Sequence, residues 1–103
     1  MEIIWADEAF SAWKETIDYI VQEFGARAAE NFYKKIEEGQ DNLSTSPLIG
    51  KIEPLLKNRS RSYRSLVINK RSKLVYYIEG ETINIVDFWD TRREPTQQAN
   101  KLK

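Results

Sequence analysis

The chain has 103 residues, with no cysteine and no histidine, a length that suits a single domain over 1–103 and a core that needs no covalent staple. Those absences exclude disulfides, thiolate metal sites, cysteine nucleophiles, and the commonest general base and metal ligand. The 16 basic and 16 acidic residues cancel, yet Lys57, Arg59, Arg61, Arg64, Lys70, Arg71 and Lys73 follow one another with no acid between them, a block that predicts an anionic partner on one face.

In chain order, the apolar run "EIIW" (2–5) predicts a short buried strand. Asp7 is placed to cap a helix, in which Phe10, Trp13, Ile17, Ile20, Val21 and Phe24 recur at helical spacing. Gly25 stands where a helix ends in a left-handed conformation. A second helical pattern follows through Ala29, Phe32, Tyr33, Ile36 and Leu43, and "STSP" ends it because the residue before Pro47 is pushed out of the helical region. Positions 47–62 read as a loop whose Leu48, Ile49, Ile52, Leu55 and Leu56 are expected to pin it to the body. Three strands then form a meander, at 63–68, 73–78 and 82–89, with Gly80 in the second turn. The polar tail permits a short helix from Pro95. The expected architecture is α+β, in the order β-α-α-β-β-β, with a helical hairpin on one face of a small, mainly antiparallel sheet.

Strand alternation then sorts the side chains. Even-numbered positions of the first meander strand pair with odd ones of the second if the turn has two or four residues. Under that register Val67, Leu74, Tyr76, Ile78, Ile83 and Ile85 form the face beneath the helices. Arg64, Leu66, Arg71, Lys73, Val75, Tyr77, Asn84, Val86 and Phe88 form the other. A three-residue turn would break the assignment. Arg71, Lys73, Arg92 and Arg93 are expected near one another, with Arg64 further along the same face. Planar guanidinium groups suit phosphate, and interleaved aromatics suit either a single-stranded nucleic acid or an amphipathic partner helix. Trp5, Trp13 and Trp89 are expected to pack. Asp87 is expected to pair with an arginine or to accept a hydrogen bond from an indole. The helix acids lack metal-ligand spacing.

With this order in place, "IIW..EAF..W" near the N-terminus and "YRSLVINKRSKLVYYIEGETINIVDFWDTRREP" over 63–95 resemble the RelE/ParE superfamily of bacterial toxins, across nearly the whole chain. The resemblance implies the toxin of a type II toxin–antitoxin pair, held inactive by a cognate antitoxin. It also implies one of two actions. RelE-like members cut mRNA on the ribosome without a metal; ParE-like members block DNA gyrase and are not nucleases. The expectation is mRNA cleavage, with gyrase inhibition, or an inactive member that only binds its antitoxin, as alternatives. For cleavage, the matching catalytic positions are Arg64, Lys73 and Arg93, with Arg71, Tyr77 and Arg92 as nucleic-acid or partner contacts. No cofactor, metal or membrane is implied, and the chain lacks a signal-peptide pattern, so the cytoplasm is the expected compartment. Many nucleolytic members carry a tyrosine or histidine near the C-terminus; residues 94–103 hold neither.

Overall fold

The computed structural model describes residues 1–90. Strand β1 (Glu2–Trp5) leads into helix α1 (Asp7–Phe24) and helix α2 (Ala26–Thr45). A two-residue strand β2 (Lys51–Ile52) and a 3-10 turn at Pro54–Leu56 precede the meander β3 (Arg64–Asn69), β4 (Ser72–Glu79) and β5 (Thr82–Asp90). The sheet order is β1-β5-β4-β3-β2. β1 runs parallel to β5, from Glu2 beside Thr82 to Trp5 beside Ile85, and every other pair is antiparallel. The expected helical hairpin on a small mixed sheet is therefore present. The expected helix from Pro95 lies outside the described residues. No helix among them is long and apolar enough to cross a membrane.

The helix boundaries follow from local chemistry. Ala6, rather than Asp7, occupies the N-cap and offers no side-chain bond. Asp7 and Glu8 instead sit in the first turn of α1, where their charge complements the helix dipole. Gly25 closes α1 and opens α2 with φ 90° and ψ 172°, a conformation that costs a side-chain-bearing residue and lets the chain reverse at a single position. From α1 the core takes Ala9 and Ala12 fully, with Trp13, Ile17 and Ile20 packed at its margin. Phe10 and Phe24 remain 51 % and 62 % exposed, so the apolar stripe on α1 is wider than the surface the sheet covers. α2 contributes Phe32, Ile36 and Leu43 against Leu74, Tyr76, Ile83, Ile85 and Phe88 of the sheet.

Two bulges set the register. The β3–β4 hairpin closes with Asn69 opposite Ser72, but Ile68 is extra, and Val67 then lies opposite Lys73 and Leu66 opposite Leu74. One inserted residue inverts every side chain beyond it. Leu66 and Ile68 consequently join the helix-side core, and Val67 is turned to solvent at 69 % exposure. This reverses the expected placement of Val67, Leu66 and Arg64. In the second hairpin Glu79 faces Thr82, and a further bulge at Val86 puts Asp87 opposite Val75 and Phe88 opposite Leu74. Phe88 thus belongs to the helix side and Asp87 to the other, again the reverse of simple alternation, while Leu74, Tyr76, Ile78, Ile83 and Ile85 lie where expected.

The loop at 47–62 is held differently from the sequence expectation. Leu56 alone of the five apolar residues is buried; Leu48, Ile49, Ile52 and Leu55 are exposed. Polar groups do the anchoring. The Tyr76 hydroxyl donates to Pro47 O (2.7 Å) and accepts from Gly50 N–H (3.0 Å). A Cβ on Gly50 would lie 2.6 Å from that hydroxyl and 2.7 Å from Ser65 O, so the close approach requires glycine.

Candidate functional site

The sheet face away from the helices gathers Lys73 and Tyr77 of the site residues expected from the sequence. β4 presents Lys73, Val75 and Tyr77 there, and β5 presents Asp87 and Trp89. Leu56 and Tyr63 from the covering segment pack on Val75 and Trp89, with Tyr77 and Val86 at the margin. Lys73 Nζ pairs with Glu53 Oε1, and Glu53 is only 1 % exposed. Its ammonium also sits 5.2 Å from the centroid of Trp89. The Trp89 indole donates to Asp87 Oδ2 (2.8 Å), while Phe88 N–H donates to Asp87 Oδ1 (2.9 Å). Asp87 therefore accepts from an indole, one of the two roles expected of it. Tyr63 and Tyr77 meet edge to face at 5.9 Å, and the Arg61 guanidinium lies 4.2 Å over the Tyr77 ring. Arg61 also reaches Glu79 at 3.4 Å, an exposed contact of small energetic weight.

Arg64 is not on this face. It lies opposite Tyr76, and its guanidinium donates to Gly50 O (2.7 Å) and more distantly to Leu48 O (3.5 Å). Burial raises the Tyr76 pKa above the ordinary 10.0, opposed in part by the hydrogen bond from Gly50 and by the charge of Arg64. Tyr76, Arg64 and Gly50 thus form a clamp on the loop, on the side of the sheet opposite to Lys73.

Of the other expected site residues, Tyr77 lies under Arg61 and against Tyr63. Arg71 is in the β3–β4 turn, where its N–H donates to Asn69 Oδ1 (2.8 Å). Its side chain borders a cavity of about 320 Å³ between the turn and the helices, shared with Lys35 and Phe24. Arg92 and Arg93 lie outside the described residues. The structure brings Lys73 and Tyr77 to one face and leaves Arg64 on the other. Arg61 belongs to the basic block of the sequence, whereas Glu53 and Tyr63 carry no such signal of a site. A lone acid between Lys51 and Lys57, followed by a turn-forming proline, was the available sign for Glu53.

Helical hairpin, parallel N-terminal strand and arginine-bearing meander together define a recognisable unit, and the profile of the ParE toxin of type II toxin–antitoxin system, parDE, matches residues 3–95. This chain belongs to the ParE toxin family. Solved structures share the fold. The chromosomal ParDE system of P. aeruginosa superposes with a TM-score of 0.71 at 19% identity, over 87% of this chain and 95% of that one. A YoeB/ParE toxin from Agrobacterium tumefaciens gives 0.61 at 21% identity, over 87% and 98%. The YoeB dimer from Staphylococcus aureus gives 0.60 at 27% identity, over 86% and 94%. A comparison with curated protein sequences returns no match. The ParE-family chain is thus the toxin of a type II toxin–antitoxin module, and its toxin fold carries a basic, aromatic sheet face on which Lys73 and Arg61 are already engaged.

Proposed function

We propose that this toxin acts by binding a protein target, the ParE-type block of DNA gyrase in the cytoplasm, and that a cognate antitoxin neutralises it. The observation that carries this reading is the separation of Arg64 from Lys73. Cleavage of an RNA phosphodiester by basic residues requires fixed cations converging on one developing charge. Arg64 is bound to backbone carbonyls on the helix side, and Lys73 is paired with buried Glu53 on the other. Histidine is absent throughout the chain. A basic and aromatic face whose charges are already compensated is better suited to protein contact than to phosphate chemistry. The antitoxin part of the proposal is supported by a structural neighbour, a YoeB–YefM complex from Staphylococcus aureus at 24% identity and TM-score 0.57.

The alternative, ribosome-dependent mRNA cleavage, would place the chemistry on Arg93 with Arg92 and Lys73. One culture separates the two: induce the toxin alone, then map mRNA ends and trapped gyrase–DNA complexes in the same cells. Gyrase complexes with an SOS response and intact mRNA are expected. Cleaved mRNA without gyrase complexes, abolished by Arg93→Ala in a folded protein, would overturn the proposal in favour of the nuclease. Unaffected growth would leave antitoxin binding as the sole function.

A further inference from the structure

We infer that a groove along α2, beside α1 and β1, is where the antitoxin seats a basic side chain, an arginine or lysine within an extended segment. The inference rests on the antitoxin reading above and names the chemistry of that contact.

Four aromatic rings form the upper wall. Trp13 lies 6.3 Å from Trp5, 5.7 Å from Phe10 and 5.7 Å from Tyr33, each pair tilted. Phe10 is 51 % and Tyr33 47 % exposed, so neither ring is consumed by the core. Together with Glu37 they border a cavity of about 210 Å³. A second cavity, of about 300 Å³, shares Glu37 and Gln40 with the first and adds Asp41 and Met1. The two depressions therefore adjoin along α2, a shape that fits an extended segment better than a globular surface.

The charge of the groove names the occupant. Glu37 and Asp41 are four residues apart on one helix, an arrangement in which like charges repel. Neither has an ion-pair partner among the described residues. Lys34, the base one turn before Glu37, is paired with Glu30 at 3.5 Å. At the far end the Met1 ammonium donates to Ser44 O at 3.3 Å. A cation beside Glu37 would relieve the repulsion, and its aliphatic stem or planar guanidinium would lie against the exposed rings of Tyr33 and Phe10, which attract cations to their faces. One edge of the wall is fixed by Trp5, whose Nε1 donates to Gln40 Oε1 at 3.0 Å.

The test titrates the full-length cognate antitoxin into the intact toxin by calorimetry, at low and high salt. Wild type is compared with Glu37→Lys, Glu37→Gln and Tyr33→Ala, each checked for fold by circular dichroism. Glu37→Lys is expected to raise Kd by about tenfold or more, with Glu37→Gln and Tyr33→Ala intermediate. Salt should weaken wild type more than Glu37→Gln. Unchanged affinity in folded Glu37→Lys and Tyr33→Ala would overturn the groove assignment while leaving antitoxin neutralisation intact. A Glu37→Lys toxin that keeps antitoxin affinity but no longer traps gyrase would assign the groove to the target instead, and overturn it equally. An antitoxin that fails to bind wild type would overturn the neutralisation reading along with it.

Discussion

Beneath the helices, Leu74, Tyr76, Ile83, Ile85 and Phe88 pack against Phe32, Ile36 and Leu43, whereas the opposite face closes over only Leu56, Tyr63, Val75 and Trp89, with Glu53 and Lys73 paired at its margin. The first layer is held by apolar area, which is non-directional and tolerates similar shapes. The second adds an ion pair and two cation–ring contacts, which depend on direction and place one loop over one set of strands. The difference teaches that the basic residues most suggestive of a phosphate site also organise the covering segment. Among the described residues, Lys73 and Arg61 pair with acids of the chain and Arg64 with backbone carbonyls.

The comparison breaks most visibly at Phe88. This ring is 1 % exposed and meets Phe32 edge to face at 5.8 Å. Phe88→Ala should lower stability by about 3–5 kcal/mol, read as a fall in the urea midpoint. A loss as small as that of a surface substitution would mean the helix-side layer is not the main core. On the other face, Lys73→Ala should cost about 3 kcal/mol, because it leaves Glu53 buried and unpaired. Glu53→Ala should cost less, since the Lys73 side chain is already 27% exposed and can extend its ammonium to water. Equal losses in the two variants, measured by denaturant unfolding, would refute this asymmetry.

The smallest of the expected effects concerns the clamp between β4 and the loop. Tyr76→Phe removes the donor to Pro47 O and the acceptor for Gly50 N–H and should cost about 1–2 kcal/mol at neutral pH. It should also flatten the alkaline limb of the stability profile. The folded-state pKa of Tyr76 is raised, so the unfolded chain releases this proton first as pH increases. The stabilisation is complete below about pH 10 and is lost as pH rises through the folded value. Melting temperatures followed from about pH 9 to about pH 11 should therefore fall further in wild type than in Tyr76→Phe. Parallel profiles would show that Tyr76 does not couple folding to proton release.

Much of the candidate site was legible in residue type but not in position. The basic block and the aromatic strand were apparent, and Lys73 and Tyr77 do share a face. Arg64 does not join them, because the bulge at Ile68 rotates the start of β3 by one residue relative to β4. Nothing in "LVINKRSK" marks that bulge: every residue in it fits a regular hairpin equally well. Glu53 escaped notice because a carboxylate in a loop is usually solvated, and its burial depends on Lys73, twenty residues away.

The sequence by itself determined the element order, the two helices and the meander. Helical periodicity, Gly25 and the apolar alternation in β4 and β5 are local signals, and each acts within a few residues. It also determined which residue types would crowd the C-terminal half. Only the tertiary structure decided which face each base occupies, that the N-terminal strand runs parallel to β5, and that Glu53 folds over Lys73. A strand repeats every two residues, so one bulge exchanges its faces, and a bulge is chosen by how the whole sheet packs under the helices rather than by the residues that form it.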